Sequence, residues 1–235
     1  GFNEQNATGI TDQSGGLREM ATLAAPLVLS QILITAMGVV DSVVVGRLGA
    51  SELAAVGLAG IWVWALSAFF VGAATSVQTF VAQHHGANES EQCGSWCWQG
   101  LISVVPCAAL AGLLIFLGAH EIIQVLDPSD DVKPLARGYM RARSLGVAGL
   151  AIAVTLSSFF RGIGDPRTPF VATLLANGLN LFLDFGLVYG WFGFPKLGVV
   201  GAGVATTISE WTYAGIVAWF FGRAALVQAF GTRRA

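Results

Sequence analysis

Residues 176–190 read ANGLNLFLDFGLVYG, a stretch that is apolar enough to cross a membrane and yet contains an aspartate. At 100° per residue, Asn180 lies about 40° and Asn177 about 20° from Asp184 around a helix, so the three polar side chains share one face. A carboxylate at the centre of a membrane helix costs about 2.5–3.5 kcal/mol on insertion scales. We therefore expect Asp184 to have a function that offsets this cost.

The whole chain has the composition of a membrane protein. Of its 235 residues, 54% are hydrophobic and 11% are charged, whereas soluble domains contain roughly 25% charged residues. The mean hydropathy is +0.68. The net charge is −2 and no basic tract is present, so the sequence predicts no nucleic-acid partner. We predict an all-α, multi-pass protein of the cell membrane whose surroundings are the lipid bilayer.

Six apolar runs are long enough to cross about 30 Å of hydrocarbon as helices. They do not alternate apolar and polar residues, as the strands of a membrane β-barrel would. Turn residues separate them, as in HHGANESEQ and LDPSDDVKP. The predicted spans are 19–46, 52–83, 94–118, 135–160, 168–191 and 199–222.

These spans divide the chain into three parts. Residues 1–17 are predicted to be a flexible polar segment, 18–222 a six-helix membrane lobe, and 223–235 a cytoplasmic tail or the start of a linker to a second lobe. Lys and Arg residues fall six on each side of the membrane, so the positive-inside rule does not fix the orientation. If some of Arg137, Arg141 and Arg143 belong to the fourth helix, the balance favours a cytoplasmic N-terminus.

Further polar residues lie in the predicted first and sixth spans. Asp41 has apolar neighbours in MGVVDSVVVG, and Gln31 precedes it in the same span. In the sixth span, Ala202, Thr206 and Glu210 follow an i, i+4, i+8 pattern and share a face. Carboxylates, carboxamides and hydroxyls are hard oxygen ligands, so a convergent set would bind Na⁺ or hold a proton. The alternative is that each group only forms hydrogen bonds to a neighbouring helix.

Signatures of catalysis are absent from the sequence. It contains no P-loop, no HExxH and no GxSxG motif. We therefore predict neither an enzyme nor a bound cofactor, with H⁺ or Na⁺ as the only ion that the site uses.

Three segments together resemble the MATE (multidrug and toxic compound extrusion) family of secondary transporters. The first, residues 25–60, reads APLVLSQILITAMGVVDSVVVGRLGASELAAVGLAG and contains Pro26, Gln31 and Asp41. The second is RGIGDPRTPF. The third is LNLFLDFGLVYG followed by KLGVVGAGVATTISE. The acidic first helix and the Asn180 and Asp184 pair are similar to the DinF-like branch of the family.

The resemblance implies a cation-coupled antiporter that exports organic, often cationic, drugs or toxins. In such transporters twelve helices form two six-helix lobes around a central cavity, so this chain corresponds to the N-terminal lobe and would need a C-terminal lobe as its partner. We expect the chain to be a fragment, or else to associate with a separate second half or with a second copy of itself.

The resemblance also implies roles for single residues. The coupling site corresponds to Asp41, Asn180, Asp184, Thr206 and the backbone of Ala202, and Asp41, Asn180 and Asp184 would be the metal ligands if the ion is Na⁺. Ser157 stands where some relatives have a carboxamide. Pro26 removes one backbone hydrogen bond and weakens the first helix locally. The possible supporting residues are Gln31, Pro26, Ser157, Asn177 and Glu210.

Two rival functions remain open at this stage. One is a lipid-linked oligosaccharide flippase of similar architecture, whose cavity would carry cations for pyrophosphate. The other is a membrane enzyme or channel subunit, for which the sequence shows no nucleophile, metal cluster or filter. The acidic character of the intramembrane charges favours a cationic substrate.

Overall fold

The computed structural model describes residues 16–232, so that most of the predicted polar segment 1–17 lies outside it. Eight α-helices follow one another within this range, and a short 3-10 turn, Trp191–Gly193, separates α6 from α7. The helices are α1 (Gly16–Gly46), α2 (Ala50–Gly86), α3 (Ser90–Leu126), α4 (Val132–Ser144), α5 (Val147–Gly162), α6 (Arg167–Tyr189), α7 (Val199–Phe221) and α8 (Ala224–Phe230).

The all-α membrane architecture predicted from the sequence is confirmed. By length and composition, α1 from Ala24 onward, α2, α3 and α6 are able to cross a membrane, and α4 with α5 makes a fifth span when counted as one bent element. The predicted sixth span, α7, is not in that set, although it is as long as α6, with 23 residues in each helix. It belongs to the bundle through its packing against α4, α5 and α6.

The sequence predicts the fourth span as one helix over 135–160. In the structure this span is broken into α4 and α5, with a bend of 41° between them. At the break the N–H of Gly146 donates to the carbonyl of Arg143, at 3.0 Å, three residues back instead of four. The carbonyl of Ala142 then accepts a bond from the Thr207 hydroxyl of α7, at 2.8 Å. The break is stable because a neighbouring helix satisfies the backbone group that it frees.

The helices do not contribute equally to the bundle. Helices α2, α5 and α7 each pack against several others, whereas α1 lies at the edge and contacts mainly α6. Only 11% of the α1 span is buried, compared with 50% of α6. One tie between them is the hydroxyl of Tyr189, which donates to the carbonyl of Val44 at 2.6 Å. The contact between α1 and α6 therefore brings Asp41 to the polar face of α6.

The position of α6 depends on a close approach to α7 at Gly201. A Cβ atom at Gly201 would lie 2.5 Å from the carbonyl oxygen of Leu187. Small residues allow such backbone approach in membrane helices, where packing replaces the hydrophobic effect as the source of association. Gly201 is thus required sterically, because no side chain fits between the two backbones.

We predict that Gly201→Ala destabilises the protein, because the methyl group must push α6 and α7 apart. Overpacking of this kind costs about 1–3 kcal/mol. The matched control is Gly215→Ala on the same helix, where a Cβ atom meets nothing within 4 Å. Thermal unfolding in detergent should show a lower midpoint for Gly201→Ala only. Equal midpoints for the two variants would contradict the steric role of Gly201.

Candidate cation-binding site

The unsatisfied polar atoms of the protein are concentrated in one place. Within the part of the chain that the structure describes, the buried side-chain nitrogen and oxygen atoms without a hydrogen-bond partner belong to Asp41, Asn177, Asn180 and Asp184. The atoms are Asp41 Oδ1, Asn177 Nδ2, Asn180 Nδ2 and both carboxyl oxygens of Asp184. Native proteins satisfy nearly all buried polar groups, so such a cluster indicates a place for an ion, water or proton.

The carboxyl groups of Asp41 and Asp184 face each other across the contact between α1 and α6. Their charges lie within electrostatic reach of each other, but neither carboxyl oxygen of Asp184 has a hydrogen-bond partner. Two carboxylates present only acceptors, so a hydrogen bond between them would form only when one of them carries a proton. Without that proton the two negative charges repel each other at membrane depth. The pair therefore needs either a proton or a bound cation.

The polar face of α6 extends this site. Asn180 is 3% exposed and Asp184 is fully buried. Polar residues in membrane helices usually face the interior of the bundle in this way. Asn177, one turn earlier, is half-buried. Each carboxamide also has an oxygen atom that is able to coordinate a cation. The stripe predicted from the helical period thus faces the protein interior at Asn180 and Asp184.

The predicted ligands on helix α7, Thr206 and the backbone of Ala202, are bonded to each other within that helix. The hydroxyl of Thr206 donates to the carbonyl of Ala202 at 2.9 Å. Ala202 is buried and Thr206 is half-buried. Thr206 keeps its oxygen lone pairs while it donates, so it still has an acceptor for a cation. Ligation by Ala202 and Thr206 stays a prediction.

Three other predicted supporting residues, Gln31, Pro26 and Ser157, form no hydrogen bond with the acids in the structure. Gln31 has an exposed side chain on α1. Pro26 lies inside a continuous α1, and its carbonyl accepts a bond from the Ser30 hydroxyl at 2.7 Å. Ser157 forms a hydrogen bond of 2.7 Å with the hydroxyl of Tyr213, which joins α5 to α7. Direct contact of these three side chains with the acids is therefore not observed.

Glu210 has a partner that the sequence did not indicate. Arg143 of α4 donates to both of its carboxyl oxygens, at 2.9 and 3.0 Å, in a bidentate ion pair. The sequence marks Arg143 only as a possible residue of the fourth helix. Its pairing with Glu210 depends on how α4 packs against α7, and the helical periodicity of the sequence does not show this. Glu210 therefore lies in a neighbouring ion pair and does not join Asp41 and Asp184 as a third facing acid.

The donor set suits a hard cation or a proton better than a transition metal. Among the described residues no group of three or more His, Cys, Asp or Glu side chains is arranged to hold a metal ion. Two carboxyl groups and a carboxamide match the oxygen ligands that alkali and alkaline-earth cations prefer. The same two carboxyl groups would instead share protons in macroscopic steps that belong to the pair.

Comparison with known proteins agrees with this architecture. The sequence model of the MatE family matches residues 26–185, which is more than half of the chain and includes Asp41, Asn180 and Asp184. The chain belongs to the MATE family. The family membership predicted from the three sequence segments is thereby confirmed.

The most similar curated relatives include multidrug resistance proteins of bacteria. A probable multidrug resistance protein NorM of Thermotoga maritima is 29% identical over 202 residues, covering 86% of this chain and 44% of the relative. The multidrug resistance protein PmpM of Pseudomonas aeruginosa is 31% identical over 205 residues, covering 86% and 43%. The chain thus spans about half the length of the curated relatives that it matches.

Solved structures of MATE transporters have the same fold. A MATE crystal structure in a bent conformation has a TM-score of 0.73 at 25% identity, covering 86% of this chain and 44% of that one. One in a straight conformation has a TM-score of 0.72 at 23% identity, with the same coverage. A MOP superfamily transporter from Pyrococcus furiosus has a TM-score of 0.78 at 22% identity and covers 88% and 45%.

We predict that Asp184→Asn stabilises the protein at alkaline pH in the absence of sodium. The substitution removes the repulsion between two facing carboxylates and leaves a neutral side chain that donates to Asp41. Leaving buried polar groups unsatisfied costs about 1–3 kcal/mol, more when they are charged, and a gain of this order is expected. Thermal unfolding at pH 9 measures it.

The control is Asp130→Asn in the loop before α4. Its carboxylate is exposed and forms only a surface ion pair with Lys133, which is worth about 0–1 kcal/mol. The midpoint of Asp130→Asn should stay near that of the unmodified protein. A lower midpoint for Asp184→Asn would mean that the Asp184 carboxylate already has a stabilising partner.

Proposed function

We propose that this chain is the cation-coupling lobe of a drug-efflux antiporter. The observation that carries the proposal is the cluster of unpartnered buried polar atoms on α1 and α6, centred on Asp41 and Asp184. Binding of H⁺ or Na⁺ would satisfy these atoms, and an antiporter needs a site whose occupancy changes during the cycle. The similarity to NorM and PmpM multidrug resistance proteins supports drug export as the coupled process.

Helix α1 is the element that would respond to the cation. It lies at the edge of the bundle and carries both Asp41 and Pro26, which weakens its backbone. Related crystal structures occur in bent and straight conformations. Loading would favour one shape of α1 over the other, to the extent that the cation binds the two shapes with different affinity. The driving force is about 2.3 kcal/mol per charge for each 100 mV across the membrane.

The substrate would be a small organic cation. Asp41 and Asp184 form a buried acidic site whose oxygen atoms lack partners. A flippase for pyrophosphate-linked sugars would need an available cation at such a site instead. Arg143 is engaged by Glu210 in a bidentate pair and Arg161 donates to Gln78 and Ser158, so the acidic site favours the antiporter over the flippase.

The complete transporter would contain a second six-helix lobe, because one lobe alone cannot enclose a central cavity. The N-terminus would lie in the cytoplasm. Seven of the twelve cations lie within the helices: Arg18 in α1, Lys133, Arg137, Arg141 and Arg143 in α4, Arg161 in α5 and Arg167 in α6. Of the other five, Arg223, Arg233 and Arg234 lie on the side of the N-terminus and Arg47 and Lys196 on the opposite side. The positive-inside rule then favours a cytoplasmic N-terminus.

We predict that Asp184→Asn abolishes ion-driven efflux. Proteoliposomes of the complete transporter are loaded with ethidium, and a pH gradient or a sodium gradient is imposed separately. The unmodified protein should respond to one of these gradients, which identifies the coupling ion, whereas Asp184→Asn should respond to neither. An anionic dye in place of ethidium should not be exported.

The matched control is Asp165→Asn at the start of α6. Asp165 accepts bonds from the backbone N–H groups of Arg167 and Thr168, and asparagine caps a helix equally well. This variant should keep gradient-driven efflux. Persistent coupling in Asp184→Asn would refute the assignment of the site.

A further inference from the structure

A buried ion pair lies beside the candidate cation-binding site. The side chains of Arg143 and Glu210 are 15% and 14% exposed, and their two parallel bonds measure 2.9 and 3.0 Å. Arg143 lies near the middle of the bent span that α4 and α5 form. A guanidinium does not lose its proton in a protein. Arg143 is therefore a permanent positive charge inside the bundle.

The backbone around the break is shaped to hold this pair. Gly146 leaves the space that the Glu210 carboxylate occupies, because a Cβ atom there would overlap it. On α7, Thr207 and Trp211 lie four residues apart and share one face of the helix. The Thr207 hydroxyl donates to the carbonyl of Ala142 at 2.8 Å, and Trp211 Nε1 donates to the carbonyl of Leu145 at 3.0 Å. Arg143 is thereby held at a defined position relative to α7.

The ion pair and the acidic site are electrostatically connected. The phenol of Tyr139, one turn before Arg143, lies within electrostatic reach of all four charged side chains: Asp41, Arg143, Asp184 and Glu210. The charges of Arg143 and Asp41 also act on each other directly. These five groups, from α1, α4, α6 and α7, form one electrostatically connected cluster around the site.

The balance of charges in this cluster is uneven. One guanidinium stands against three carboxyl groups, and it is neutralised by Glu210. Two carboxyl groups, those of Asp41 and Asp184, are left without a permanent counter-charge. If Glu210 were neutral, the field of Arg143 would repel a cation that approaches Asp41. If Arg143 were neutral, Glu210 would add a further negative charge that attracts one.

We propose that the Arg143–Glu210 pair sets the cation affinity of the Asp41–Asp184 site by compensating charge. The inference rests on the proposed function, since it specifies what tunes that site. Glu210 prevents Arg143 from repelling the cation, and Arg143 prevents Glu210 from attracting it too strongly for release. The pair itself binds neither the cation nor the substrate.

If the ion pair had only a structural role, its variants would behave differently. The direction of the change in cation affinity distinguishes this role from charge compensation. A pair that only joined α4 to α7 would weaken transport by a similar amount whichever partner was neutralised. Charge compensation instead predicts opposite changes in the cation concentration that gives half-maximal efflux. That concentration is measured for Na⁺ at fixed pH or for H⁺ without sodium, according to the ion that drives the complete transporter in proteoliposomes.

The expected result is a higher half-maximal cation concentration for Glu210→Gln and a lower one for Arg143→Gln. The gain or loss of one unit charge on a neighbouring helix changes the cation affinity of the site about tenfold. The double variant Arg143→Gln with Glu210→Gln has the original net charge, so its half-maximal concentration should return to within about threefold of the unmodified value. Shifts of the two single variants in the same direction would overturn the proposal.

Charge-conserving variants provide the control. Arg143→Lys and Glu210→Asp lose the bidentate geometry but keep both charges, so their half-maximal concentrations should stay near the original value. Neutralising one partner of a buried pair destabilises a protein strongly, so a single variant that does not accumulate is replaced by the double variant. A tenfold shift in the double variant, or in the charge-conserving variants, would then refute charge compensation.

Failure of this inference can be distinguished from failure of the proposed function. Loss of coupling in Asp184→Asn, with no opposite shifts in the Arg143 and Glu210 variants, would leave the site in place and remove only the role of the pair. Persistent coupling in Asp184→Asn would remove the site itself.

Discussion

The structure depends on two carboxyl groups that face each other without a counter-charge inside a membrane bundle. Asp41 and Asp184 come together because α1 packs on α6, and α6 is held in turn by its close backbone approach to α7 at Gly201. Packing supplies the free energy that brings the acids together, and the repulsion between the two carboxylates offsets part of it. A proton or a cation relieves that repulsion, so occupancy of the site and the packing of α1 are energetically linked.

This linkage matters because the two helices are secured so differently. Only 11% of the α1 span is buried, compared with 50% of α6. A helix with few buried contacts has a small packing energy to lose when it bends, so an electrostatic change of a few kcal/mol is comparable in size. Helix α6 is anchored by α7 and gives the site a fixed half, Asn180 with Asp184. Helix α1 supplies the half that is able to move, Asp41.

Features that repeat along one helix were predictable from the sequence, and features that depend on two helices were not. The polar stripe of Asn180 and Asp184 follows from the helical period alone, and its burial is confirmed by the structure. The pairing of Glu210 with Arg143 depends on how far α4 and α7 are rotated relative to each other, which no period within a helix encodes. The break before Gly146 is not predictable for the same reason, because the groups that satisfy its backbone carbonyls belong to α7.

The stability of the break does not explain the ion pair, and the chemistry of the pair points to the neighbouring acids. The carbonyls of Ala142 and Leu145 are satisfied by Thr207 and Trp211, so the break needs no bond from Arg143. Burying two charges carries a desolvation penalty that apolar residues of similar volume would avoid, often with equal or greater stability. Because the pair is costly and the backbone does not need it, we infer that its role lies in its electrostatic field at the neighbouring acids. That field acts on Asp41, the one member of the cation site that belongs to the edge helix.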